Sequence, residues 1–236
     1  MEGQRLSEAW ESEAPRWAAW AGEPGLDSYW RFHREAFLAL LPEPRGLTVD
    51  VGAGEGRVSR DLAARGHRVI SLDRSPSLVR LAAAAAGPPA LLADAACLPL
   101  IDCCASLVVA FMCLQDVDDM AEAVGEIARV LEPGGRLCLA VVHPVNGAGG
   151  FATADPDAPF VIRASYFERR RYAEEVERAG FKVTFHSHHR SLEEYFGALE
   201  AAGLLTERVR EPPAGDGGRW DRVPLFLHIR AVRPGR

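Results

Sequence analysis

A chain of 236 residues with 48% apolar and 25% charged residues has the make-up of a folded globular protein, long enough for one large domain or two small ones. Its formal charge of -6 offers nucleic acid no overall attraction, and no run approaches the roughly 18 uncharged apolar residues of a membrane span. The five cysteines, Cys97, Cys103, Cys104, Cys113 and Cys138, are odd in number and never spaced as CxxC, which argues against a disulfide framework or a zinc site. The start, MEGQRLSEAW, lacks the basic-then-apolar pattern of an export signal, so a cytoplasmic setting is expected.

The first thirty residues carry Trp10, Trp17, Trp20 and Trp30 among charges and Pro-Gly breaks. From Asp27, DSYWRFHREAFLALL places Trp30, Phe37, Leu38 and Leu41 at helical spacing, and Pro42 ends it. GLTVDV reads as a buried strand, RVSRDLAARG as a helix stopped by Gly66, and HRVISLD as a second strand. Ser75-Pro76 caps and opens a helix that Gly87-Pro88-Pro89 ends, followed by the short strand ALLAD. SLVVAFM is another buried strand. Behind an Asp118-Asp119 cap, Met120, Val124, Ile127, Val130 and Leu131 make the apolar face of a helix, and Pro133-Gly134-Gly135 turns into the strand RLCLAVV. This alternation argues for one parallel sheet covered on both sides.

From His143 the rhythm breaks into an irregular, Pro- and Gly-rich excursion. RRYAEEVE and KVTFHSHHR flank Arg178-Ala179-Gly180-Phe181 and suit a hairpin, with a helix open for the first run. Ser191 to Glu194 is a capping box opening a helix with Leu192, Tyr195, Phe196 and Leu199 inward, ended by Gly203. LLTERVRE and VPLFLHIRAV close the chain as antiparallel neighbours.

The stretch TVDVGAGEGR carries the ligand signal. Glycines after a first strand allow close backbone approach to a nucleotide, but a dinucleotide loop needs GxGxxG, and Arg57 stands where its third glycine would be. Asp50 also lies at the strand mouth, where like charges about 4 Å apart cost about 1 kcal/mol in water and about 4 at an effective dielectric of 20. A ligand that is cationic at this point fits, and a diphosphate does not. A short-chain dehydrogenase would need a Tyr-x-x-x-Lys pair, whereas the only lysine is Lys182, with Arg178 four residues before it.

VDVGAGEG, Asp73 ending the second strand, the Asp94-Ala95 pair and LEPGGRL, in that order, resemble the successive motifs of class I S-adenosylmethionine-dependent methyltransferases over residues 45–142. The resemblance implies a Rossmann-like, doubly wound α/β fold: a mostly parallel seven-stranded sheet with helices on both faces and an antiparallel C-terminal strand. It implies S-adenosyl-L-methionine as cofactor, held by Asp50, Gly52, Ala53, Gly54, Asp73, Arg74, Asp94, Ala95 and Phe111. Within that set, Gly52 to Gly54 would line the methionine part, Asp73 the ribose, Asp94 and Ala95 the adenine, and Phe111 the methyl donor. Each aspartate also has a plain role open to it, as a helix or turn cap. A single methyltransferase domain is expected, with an N-terminal helical cap (1–44), a cofactor-binding core (45–142), an acceptor-side insertion (143–190) and a closing helix and strands (191–236).

The later half resembles a narrower set of small-molecule methyltransferases, through His143-Pro144 and His188-His189-Arg190-Ser191. An O–H or N–H acceptor calls for a base, which histidine suits; His143 and then His189 are the candidates, with loop-holding roles open to both. Tyr29, Trp30, His188 and Arg190 are candidates for the acceptor side, with plain packing or an ion pair to Glu193 or Glu194 as their alternatives. His186 and His188 would share a strand face, but nothing in sequence completes a ligand set and no metal is expected. The expected partner is a small-molecule acceptor, with neither nucleic acid nor membrane, and the oligomeric state stays open. The rival reading is a methyltransferase fold used for a non-methylating reaction or as a binding module.

Overall fold

A computed structural model describes residues 5–23, 25–215 and 217–235. Met1 to Gln4, the first residues of the segment read for an export signal, and Pro24 of the early Pro-Gly break lie outside them. The chain begins with helix α1 (Leu6–Gly22). A π-helical turn, Tyr29–His33, leads into α2 (Arg34–Leu38). Then come β1 (Leu47–Val51), α3 (Arg57–Ala64), β2 (Arg68–Asp73), α4 (Pro76–Ala84), β3 (Ala90–Leu92), β4 (Ala105–Phe111), α5 (Met120–Val130) and β5 (Leu131–Val142). The excursion holds α6 (Val145–Ala148), β6 (Gly149–Phe151), β7 (Phe160–Ile162), β8 (Arg170–Arg178) and β9 (Phe181–His189). It is followed by α7 (Leu192–Ala201), β10 (Leu205–Arg210) and β11 (Phe226–Val232).

The sheet runs β10-β11-β5-β4-β1-β2-β3, parallel from β5 to β3, with β11 antiparallel to both its neighbours. Every residue of β4 is buried, as expected of a strand covered on both faces. Its alternation splits the core in two. Val108 and Ala110 pack with Ile127 and Leu199 from α5 and α7, while Leu107, Val109 and Phe111 pack with Phe37, Val58 and Leu62 from α2 and α3. Fully burying a side chain such as Ile127 or Leu62 contributes about 1.5–3 kcal/mol. Between β1 and β4 the strand order reverses, which opens a crevice at their carboxyl ends.

Three local expectations change and one open choice is decided. Leu131 belongs to β5, because the backbone turns extended directly after Val130. The widened turn at Tyr29–His33 rotates Tyr29, His33, Phe37 and Leu38 inward and leaves Trp30 39% exposed. Asp119 sits at the start of α5 without a capping hydrogen bond, and Asp118 instead accepts the Leu6 N–H of α1 at 3.2 Å. The open choice at 170–189 resolves as a hairpin, whose turn residues Ala179 and Gly180 both take positive φ (50° and 80°). Among the described residues no helix is long and apolar enough to cross a membrane.

Candidate functional site

The loop after β1 is built to let the backbone come close to something. Gly52 and Gly54 have φ of 68° and 59°, in the left-handed region. A Cβ on Gly52 would lie 2.4 Å from Cβ of Cys113, and one on Gly54 would lie 2.6 Å from the Trp17 ring. The N–H groups of Gly52 and Ala53 bond to the Leu72 carbonyl at 2.8 and 3.0 Å, pinning the loop to β2. Asp73, at the end of β2, accepts the Gly54 N–H at 2.7 Å on one oxygen and the Ser75 N–H at 2.8 Å on the other, with the Arg74 N–H also directed at it, which leaves capacity for a further donor.

Asp50 is buried beneath this loop. The Ser59 hydroxyl donates to it at 2.5 Å, and Ser71 donates to Ser59 in turn at 2.7 Å. Its other oxygen, Oδ1, has no hydrogen-bond partner among the described residues. Burial pushes the Asp50 carboxyl up to about 7, against the pull of Ser59. Such a group is costly unless a cation joins it. Beside it, Arg57 forms a buried ion pair with Asp27 at 2.9 Å, and its guanidinium lies 5.0 Å from the Trp17 ring centroid. Asp94 pairs with Arg74 and holds the Ala96 N–H at 3.0 Å. Phe111 closes the floor against Tyr29 and Phe37, with ring centroids 5.2 and 5.0 Å away.

All nine residues expected on the cofactor side (Asp50, Gly52, Ala53, Gly54, Asp73, Arg74, Asp94, Ala95 and Phe111) line one cavity of about 800 Å³. Its roof is α1, which contributes Trp10, Trp17 and Trp20. The helix is tied at several points. The Glu11 carboxylate takes the hydroxyls of Ser75 and Ser77 at the head of α4, Trp10 Nε1 donates to the His186 carbonyl at 2.9 Å, and Glu13 accepts the Thr184 N–H at 3.3 Å. The far wall comes from the hairpin, through Tyr172, Val176, Phe185 and Ser187.

The acceptor-side candidates from sequence lie elsewhere. Tyr29 is fully buried, its hydroxyl on Asp61 at 2.5 Å, and Trp30 donates to the Ala21 carbonyl on the outer surface. His143, His188, His189 and Arg190 surround a small pocket of about 10 Å³, with room for about one water, which shares Gln115, Val142 and Tyr172 with the large cavity. The Val145 N–H donates to Nδ1 of His143 at 3.2 Å and Nε2 faces Glu211 at 2.9 Å, so both ring nitrogens are engaged. Burial lowers its pKa, with Glu211 acting against that. His189 Nε2 meets the Tyr166 carbonyl at 2.8 Å, and His188 Nε2 lies 3.5 Å from Asp118. Arg190 is spent on four carbonyls, those of Leu114, Gln115, Val117 and Asp118, at 2.5–3.2 Å. Arg190, with His188 beside Asp118, braces the turn after β4. Tyr29, Trp30, His143, His188, His189 and Arg190 are not among the residues that line the large cavity.

Sequence reading missed Asp116, Tyr172 and Ser187, which line the cavity under the hairpin. The alternation of the hairpin was the available signal: Tyr172 and Ser187 are register partners, with Val176 and Phe185 further along the same face. Among the described residues no group of three or more His, Cys, Asp or Glu side chains is arranged to hold a metal ion.

Residues 49–139 match the family model described as a methyltransferase domain. An uncharacterized methyltransferase of Mycobacterium tuberculosis is 39% identical over 123 residues, 52% of this chain and 49% of the relative, so the chain spans about half of that protein. A Mycolicibacterium smegmatis protein named a probable S-adenosylmethionine-dependent methyltransferase is 31% identical over 188 residues, covering 77% of this chain and 67% of that one. In structure, the chain resembles an S-adenosylmethionine-dependent methyltransferase of Mesorhizobium loti with a TM-score of 0.72 and 26% identity, over 89% of this chain and 100% of the other. The motifs, the sheet order and these likenesses agree: the chain belongs to the S-adenosylmethionine-dependent methyltransferases, a family whose cofactor is S-adenosyl-L-methionine.

Proposed function

We propose that the cavity binds S-adenosyl-L-methionine at its glycine-loop end and moves the methyl group to an O, N or C nucleophile of a small-molecule acceptor held under the roof. The observation that carries this reading is Asp50, a buried carboxylate with an unpartnered oxygen under a loop that leaves no room for a side chain. It fits the cationic methionine end of the cofactor. When bound, the cofactor would supply a methyl group on a sulfonium, its methyl carbon the electrophile and a neutral thioether the leaving group.

The chain's own residues then bind, orient and exclude water. Asp73 has acceptor capacity left for a ribose hydroxyl, and Asp94 with Ala95 would hold the adenine, with Arg74 alongside. Phe111 provides an apolar floor near the transferred group. The tryptophans of α1 cover both ends and keep water from the electrophile. A cavity of about 800 Å³ lies within the range of about 300–1,000 Å³ usual for small-molecule sites, which supports a small acceptor beside the cofactor. We also read the chain as one methyltransferase unit. A setting in cytoplasmic small-molecule metabolism, away from nucleic acid and membrane, is supported by five free thiols and the net charge of -6.

Calorimetric titration with S-adenosylmethionine, with NAD as control, tests the first half. Saturable binding of the former alone is expected, and micromolar NAD binding sinks the assignment. Labelled cofactor incubated with an acceptor panel should yield S-adenosylhomocysteine and a labelled product. Binding without any transfer would instead favour the fold serving another reaction.

A further inference from the structure

Under the hairpin the cavity wall carries one carboxylate whose hydrogen bonding is half complete. Asp116 ends the short 3-10 turn Leu114–Asp116 that follows β4. Its Oδ1 accepts the Ser187 hydroxyl at 2.6 Å, the one side-chain hydrogen bond it makes among the described residues. Its acidic neighbours are placed differently: Asp118 is held by the Leu6 N–H and faces His188, and Asp119 is exposed at the head of α5. Ser187 and Tyr172 stand opposite each other across the hairpin, and all three line the cavity. The turn also touches the cofactor end. Cys113, three residues earlier, packs against Gly52, and burial together with the charges of Asp116, Asp50 and Asp73 raises its thiol pKa. Above, Phe185 meets Trp10 and Trp20 edge-on at 6.2 and 6.3 Å, forming an aromatic wall.

We propose that Asp116 docks the acceptor through an O–H or N–H carried on a flat aromatic or heteroaromatic ring, and takes that proton as the methyl group transfers. This rests on the methyl-transfer reading above. In the step, the lone pair of the acceptor oxygen or nitrogen bonds to the methyl carbon, and the carbon–sulfur bond breaks with its electron pair left on sulfur. The acceptor proton passes to the Asp116 carboxylate, from which water carries it away between turnovers.

The surroundings suit a base. Burial raises Asp116 well above the ordinary carboxylate range, while the Ser187 hydrogen bond and the Arg190 charge draw it down. The other groups facing it are the phenols of Tyr172 and Tyr195 and the Cys113 thiol, all raised by burial and by the Asp116 charge, Tyr172 to about 12.

The test compares 4-methylphenol with 4-methylanisole, in the presence of S-adenosylhomocysteine, by quenching of tryptophan fluorescence. Wild type should bind the phenol about tenfold or more tighter, as a hydrogen bond to an ionised group allows, and the preference should grow as pH rises through the carboxyl's ionisation. Asp116→Asn should lose most of the preference while calorimetry shows unchanged affinity for S-adenosylhomocysteine. Ser187→Ala, a milder change, should move the onset of the preference to higher pH, because it removes a donor to the charged form. Equal affinities in wild type, no quenching by either compound, or an undiminished preference in Asp116→Asn overturns the proposal. Failure of wild type to bind S-adenosylhomocysteine overturns the methyl-transfer reading instead, and the phenol comparison is then judged without it.

Discussion

The two ends of the cavity are made by different means. At the glycine loop, Asp50, Gly52, Gly54 and Asp73 sit at the ends of neighbouring parallel strands, so sheet register alone brings them together. Under the roof, Asp116, Tyr172, Ser187 and Trp10 come from a turn, a hairpin and the first helix, and meet through contacts far apart in sequence. A site fixed by register tolerates a mutation in its roof, whereas a site fixed by docking depends on the braces that hold its parts.

The largest expected effect therefore lies in a brace. Arg190→Ala leaves four buried carbonyls without their donor and should cost about 3 kcal/mol in urea unfolding; a change below about 1 kcal/mol would show that the turn after β4 holds itself. On the register-built side, Asp73→Ala should leave the sheet intact but weaken S-adenosylhomocysteine binding by about ten- to a hundredfold in calorimetry. Unchanged affinity removes Asp73 from the site.

A smaller effect distinguishes Asp50. Burial pushes its carboxyl up to about 7, and a cation seated against it lowers that value, so binding below pH 7 should release a proton. Cofactor affinity should thus climb toward pH 7 by up to about tenfold per unit and level off above. Asp50→Asn should flatten the curve, and a flat wild-type curve would place the cationic end elsewhere. The smallest effect belongs to His143. With both ring nitrogens engaged outside the cavity, His143→Ala should lower turnover less than about threefold, where loss of a base costs about a hundredfold or more.

The same contrast explains what was legible in the sequence. Strands β1, β4 and β5 announce themselves because parallel strands buried on both faces read as apolar runs, and the cofactor loop follows because its glycines and acids lie within a few residues of strand ends. The partners of the histidines and Arg190 are not legible, because a polar side chain does not state its partner. The carbonyls that hold Arg190 are 72 to 76 positions away. Asp116 is hidden inside DVDD, which reads as a helix cap until the hairpin brings Ser187 against it. Trp30, expected inward, is turned out by a π-helical turn for which its spacing gives no cue.

Helix α1 is stitched at Glu11 to the head of α4, beside Asp73, and at Trp10 to the hairpin that carries Ser187. One helix thus covers both ends of the cavity, and lifting it from either end loosens its hold on the other. Two ligands that each need this segment seated share the entropy of ordering it, so the first to arrive lightens the cost for the second, and by linkage the favour is mutual.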